Sequence, residues 1–213
     1  LSTEKFIPNN IYNFLRMDMQ RLINLGINVY LSPEKTIPYS DGFAQVSGFA
    51  EYKNDNKILA VACGRELDHW LGVYLHESSH IDQGIENIPL WTKSGCDEID
   101  AWLAYKVEYS NEEIKRHITN CGNLELDCER RTLKKIINYN MPLDPIVYAQ
   151  KAAAYVYSYQ LVYKNRKWPG IGKAPYLLDE VWKLCPITLE GDFSTMSENI
   201  ANVMQELCFT ENN

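Results

Sequence analysis

No CxxC pair, no internal repeat, no low-complexity tract and no long apolar run occurs in the 213 residues. Each absence narrows the field. A bilayer-crossing helix needs about 20 apolar residues in succession, and the chain offers no such run, so no membrane partner is expected. No apolar signal core follows Leu1-Ser2-Thr3-Glu4-Lys5, so export through a visible signal peptide is not expected. Basic residues are in deficit, 21 Lys and Arg against 28 Asp and Glu, for a net charge of −7. An acidic surface disfavours a general nucleic-acid binder. The densest basic clusters, Lys134-Lys135 and Lys164-Asn165-Arg166-Lys167, read as solvated helix faces. The six cysteines, Cys63, Cys96, Cys121, Cys128, Cys185 and Cys208, are irregularly spaced. A chain this long buries a core without staples, so they read as free thiols in a reducing compartment. Cys121 and Cys128 are close enough in sequence to pair, and a ligand role for them is the lesser expectation.

What is present is an ordinary globular composition, 46% hydrophobic and 23% charged. One domain over 1–213 is expected, with a sheet and an early helix in 1–95 and a helical part in 96–213. Residues 10–24 carry Ile11, Phe14, Leu15, Met19, Leu22 and Ile23 at helical spacing, and Gly26 stops them. Residues 27–31 read as a strand. Phe43 to Tyr52 and Lys57 to Cys63 read as a hairpin about the turn Lys53-Asn54-Asp55-Asn56. Residues 68–83 read as a helix with Asp68 as its N-cap and Gly84 as its stop. Further helices are expected at 97–109, 111–120, 124–138, 144–164, 177–184 and 196–208, with Gly122-Asn123 dividing the second from the third. Strands first and helices after make an α+β pattern with a small, mostly antiparallel sheet.

The chemistry concentrates in His76-Glu77-Ser78-Ser79-His80, an HExxH motif in a chain holding only four histidines. Chance produces it in roughly one such sequence in two hundred. On a helix, residues i and i+4 share a face, so both imidazoles converge on one point and suit a zinc ion. Glu77 stands beside that point, placed to take a proton from a water and pass it to a leaving amine. Two histidines need a third protein ligand. Ile81-Asp82-Gln83-Gly84-Ile85 lacks the Gly and third His that a metzincin would show. A carboxylate from a later helix is the alternative: Glu98, or Glu125 with Glu129 one turn beyond it. In the latter pair one carboxylate binds the metal and the other steadies a ligand imidazole.

With these residues the chain resembles the gluzincin group of zincins, in which several families carry a downstream Glu-x-x-Ala-Asp or Glu-x-x-x-Asp helix. Glu125-Leu126-Asp127-Cys128-Glu129 is similar to that segment, with Cys128 in the Ala place and Glu129 where Asp is usual. Over roughly residues 60–180 the chain also resembles uncharacterised phage-encoded metallopeptidase-like proteins. These join HExxH, a Glu-Leu-Asp-Cys-Glu helix and a Tyr-rich helix ending near Arg-Lys-Trp, here Tyr155 to Trp168. The resemblance implies a zincin-like fold and Zn2+ on His76, His80 and Glu125, with Glu129 beside them. It implies peptide-bond hydrolysis with Glu77 as general base, acting on a peptide or protein. It also implies a place in a host cytoplasm or a virion, with a host or virion protein as partner. The contrasting expectation is a non-enzymatic, virion-associated or partner-binding protein whose metal site is structural or vestigial, since fold alone does not fix function.

Other residues have plainer readings. His69 and His117 read as near-surface histidines. Tyr148, Tyr155, Tyr159 and Tyr163 recur at helical spacing and read first as a packed face. Among them Tyr155 and Tyr159 are the candidates for steadying an oxyanion. An edge strand for an extended peptide would come from 44–52 or 57–63, and Gly48 would allow close backbone approach or form a bulge.

Overall fold

The structure is a computed structural model and describes residues 7–39, 44–53, 56–170 and 172–210. It is α+β, with a small mixed sheet and mostly helix elsewhere. Phe43 and the turn residues Asn54 and Asp55 of the expected hairpin lie outside the described residues. The chain divides into two compact units. One comprises Leu1–Glu86 and Arg131–Leu143, the other Asn87–Arg130 and Asp144–Asn213. The first unit thus takes back a later stretch of chain.

The first unit opens with α1, Asn9–Asn24, which buries Ile11, Phe14, Leu15 and Leu22. Gly26, at φ 77°, ends it. The Gly26 N–H donates to Ile23 O and the Ile27 N–H to Leu22 O, so the last carbonyls are satisfied in a left-handed turn that glycine adopts without strain. Strands follow: β1 Asn28–Ser32, β2 Ile37–Pro38, β3 Gln45–Val46, β4 Gly48–Lys53 and β5 Asn56–Ala62. The three-stranded sheet has order β1-β5-β4. β4 pairs antiparallel with β5, as a hairpin should, but β1 pairs parallel with β5, Asn28 against Ile58 through Ser32 against Ala62. The expectation of a mostly antiparallel sheet is therefore corrected to a mixed one. A parallel partner needs a crossover, and the β2–β4 excursion supplies it. β2 and β3 form a separate antiparallel pair. Leu59 to Ala62 of the central β5 are buried, as a strand covered on both faces requires.

Helix α2, Leu67–Glu86, lies on this sheet, with Asp68 inside its first turn. Gly84 does not stop it. A Cβ there would stand 2.6 Å from Tyr52 Cγ, so the glycine lets α2 press onto β4. Asn87, at φ 49°, follows the helix end instead.

α3 Pro89–Thr92 and α4 Cys96–Leu103 begin the second unit. α5 runs unbroken from Asn111 to Asn138, through the expected division at Gly122-Asn123. A mid-helix glycine costs only about 1 kcal/mol, which the packing of a helix of 28 residues absorbs, and Gly122 is buried within it. α6, Pro145–Asn165, is capped by Asp144, whose side chain accepts from the Ile146 and Val147 N–H groups. Ala149 and Ala152 to Ala154 are buried along it. A 3₁₀ turn at Pro175–Leu177, then α7 Asp179–Trp182, α8 Glu198–Met204 and a π-turn at Gln205–Phe209 complete the unit. Ile99, Trp102, Ile114, Ile118, Cys121 and Tyr159 form one of its cores. Arg166 is not a solvated cation: its guanidinium lies 4.0 Å from the Tyr105 ring centre and pairs with Glu108. Among the described residues no helix is long and apolar enough to cross a membrane.

Two glycines of α2 respond oppositely to alanine. Nothing lies within 4 Å of a Cβ at Gly72, so Gly72→Ala raises stability by up to about 1 kcal/mol. Gly84→Ala loses that gain to the Tyr52 clash and lowers stability by about 1–3 kcal/mol. Urea midpoints of the two variants check the opposed signs.

Candidate metal centre

The rotation of α2 about its axis is set by polar groups on its rear face. Tyr74, Ser78 and Asp82 recur at i, i+4 and i+8. The Tyr74 hydroxyl donates to Asp18 Oδ2 at 2.9 Å. Burial first, then the charge of Asp18, hold Tyr74 far above the usual phenol range, so it stays a donor. Arg21 reaches both Asp18 at 2.8 Å and Asp82 at 2.9 Å. From the last turns of α5, Lys135 meets Asp82 and Ser78 Oγ, each at 2.8 Å. Lys135 is thus a paired, half-buried cation, not the solvated face expected of it. Thr132 donates to Ser79 Oγ at 3.1 Å.

With that face fixed, His76 and His80 emerge on another. Their rings meet edge-to-face, centroids 4.7 Å apart, and their Nε2 atoms are 3.2 Å apart. Two nitrogens bound at about 2.0–2.1 Å to one tetrahedral zinc stand about 3.3–3.4 Å from each other, so the pair is spaced for a shared ion. Nδ1 of His80 is 2.8 Å from Oε1 of the fully buried Gln83. The His80 ring thus meets an amide on its own helix through the nitrogen that faces away from His76.

Cys128 completes a possible ligand group. Ligand atoms of His76, His80 and Cys128 all lie within 4.8 Å of one another. Cys128 is one turn before Thr132 on the unbroken α5. Two imidazoles and a thiolate are donors that zinc accepts, and Cys128 would lose its proton on binding. The group can hold a metal ion.

The expected carboxylates lie on α4 and α5. Glu98 is half-buried on α4. Glu125 and Glu129 are both buried, and neither belongs to the group of three. Glu129 accepts a short hydrogen bond from the Tyr148 hydroxyl. Glu125 Oε2 makes no hydrogen bond, although the residue has interacting neighbours. Tyr155 and Tyr159, the oxyanion candidates, bond each other at 3.1 Å, and Cys121 Sγ donates to Tyr159 Oη at 3.7 Å. Burial, then the charge of Glu125, raises Tyr155 well above the phenol range; burial, then Tyr155 and Glu125, does the same to Tyr159. Both remain neutral donors. His69 is exposed, whereas His117 is half-buried and packs on Gly95 and Tyr109. All six cysteines are unbridged; Cys121 has Cys96, not Cys128, as its thiol neighbour.

Glu77 lies on the stripe of α2 that faces β4. A Cβ at Gly48 would come 2.5 Å from Val73 and 3.3 Å from Glu77 Cγ, so close approach, one of the two roles expected of Gly48, is the one found. β4 lies at one edge of the sheet and β5 at its centre, so of 44–52 and 57–63 the former contains an edge strand.

No family model, curated protein or solved structure matches the chain.

Two residues escaped the sequence reading. Gln83 had a signal, since i+3 from His80 places it against that ring. Cys128 had a ligand role only as the lesser expectation, since nothing in the sequence shows which face of α5 meets α2. Elemental analysis tests the group: the wild type, offered zinc and desalted, retains about one ion per chain, and His76→Ala or His80→Ala retains none. A metal-free wild type after the same treatment would remove the site.

Proposed function

We propose that this chain is a zinc-dependent hydrolase of peptide bonds. The observation that carries the reading is the pair of Nε2 atoms 3.2 Å apart on α2, with Glu77 on the adjoining stripe beside an edge strand. His76 and His80 would hold the ion, with the third ligand from α5. Cys128 is the α5 residue whose ligand atom lies with theirs. Bound there, zinc supplies Lewis acidity, which makes water acidic near neutral pH and polarises a carbonyl.

The chain's own groups do the rest. Glu77 accepts the proton of the attacking water and returns it to the amine leaving group. β4, at one edge of the sheet, would offer backbone donors and acceptors to an extended peptide, which adds as a further strand. Gly48, with no side chain, keeps that strand's backbone close to Glu77. The substrate class this favours is an unfolded or loop segment of protein.

Glu77→Gln keeps zinc and lowers hydrolysis of a denatured-protein substrate by roughly 10²–10⁴-fold. Undiminished turnover in that variant sinks the mechanism. Zinc bound by the wild type without any hydrolysis moves the reading to a structural site. Cys128→Ser loses zinc while Glu125→Gln retains it; the reverse pattern returns the third position to the carboxylate expected from sequence.

A further inference from the structure

An imidazole binds a metal through a nitrogen that carries no proton. A neutral ring has one proton and two places for it, so half of the possible arrangements are blind to the ion. In His80 the choice is made locally. Nδ1 stands 2.8 Å from Gln83 Oε1. An amide oxygen only accepts, so the proton of that bond belongs to Nδ1. The lone pair is then on Nε2, the atom facing His76 Nε2 at 3.2 Å.

The amide could act the other way if it turned over. Its NH2 would then donate to Nδ1, the ring proton would move to Nε2, and the lone pair would point away from His76. Gln83 is fully buried in α2, between the buried Ile81 and the Gly84 position that packs on Tyr52. An amide enclosed on all sides turns over only if the close-packed groups around it give way. The hydrogen bond therefore selects one tautomer before any ion arrives.

We propose that Gln83 is a positioning residue that holds His80 as its Nδ1–H tautomer and so leaves Nε2 free to bind the metal. The inference rests on the metal site proposed above. It differs from the carboxylate partner expected of Glu129. A neutral amide orients the ring without adding negative charge, so the ring's basicity rises less than it would beside a carboxylate.

The tautomer is read directly in metal-free protein by long-range proton–nitrogen NMR spectra, at a pH of about 8 where imidazole is neutral. With four histidines in the chain, each ring is resolved. The wild type shows His80 as the Nδ1–H form. Gln83→Met, which keeps the volume and removes the acceptor, shows a mixed or Nε2–H form and binds zinc about 10–100-fold more weakly. Gln83→Glu, which restores an acceptor oxygen, returns the Nδ1–H form and the affinity. A wild-type Nε2–H tautomer, or a folded Gln83→Met with unchanged tautomer and zinc affinity, overturns the proposal. Should Gln83→Met not fold, the wild-type and Gln83→Glu spectra decide it. Zinc bound through His80 Nδ1 overturns the inference and leaves the hydrolase reading standing. A wild type that shows the Nδ1–H form yet takes up no zinc overturns the hydrolase reading, and with it the metal-binding half of this proposal.

Discussion

The constraint on which the site depends is the two-sided grip on Asp82, held by Arg21 from α1 and by Lys135 from α5. Each residue along a helix turns it by about 100°. A helix free to rotate by one position would therefore carry its histidines off any fixed point. Asp82, Ser78 and Tyr74 stop that rotation from behind, through oppositely charged and hydrogen-bonded partners that are partly or fully buried. Exposed ion pairs contribute little, but removing one member of an enclosed network strands the others, so such groups specify a geometry more than they add stability. Every feature of the front face follows from it: the histidine pair, the Glu77 stripe and the approach of β4.

Much of this was legible. The i, i+4 spacing of His76 and His80 needs only a helix to become a convergent pair, and the periodicity of 68–83 supplied one. The same reasoning found α1 with its Gly26 stop, and α6 over nearly its whole length. It failed where a residue's role is set by something distant in sequence. Gly84 and Gly122 read as breaks because glycine disfavours helix, yet both helices run through them, and at Gly84 the missing side chain admits the Tyr52 ring. Lys135 read as solvated because lysine usually is, but its partner Asp82 is on another helix. The parallel pairing of β1 with β5 could not be read from either strand. Periodicity shows which face of an element is apolar; it does not show which element covers it, and Cys128 belongs to that second kind of question.

The second unit carries a less ordinary stripe. Glu125 and Glu129 are buried one turn apart on α5, and α6 brings hydroxyls toward them: Tyr148 onto Glu129, and Tyr155 near enough to feel the charge of Glu125. Carboxylates normally stay in water unless something offsets their desolvation. The tyrosine spacing that read as a packed face is therefore polar at its tips. Those hydroxyls are held as donors by the same burial that makes the carboxylates costly.

The return of Arg131–Leu143 to the first unit has a consequence for biosynthesis. When Glu86 leaves the ribosome the sheet and α2 exist as sequence, but Lys135, which completes the grip on Asp82, has not been made. Residues 87–130 must emerge first. The histidine-bearing helix thus waits, with its rear acidic group half-satisfied, for a lysine that follows it by some fifty residues. A nascent chain ending before Lys135 would carry HExxH on a helix gripped from the α1 side alone.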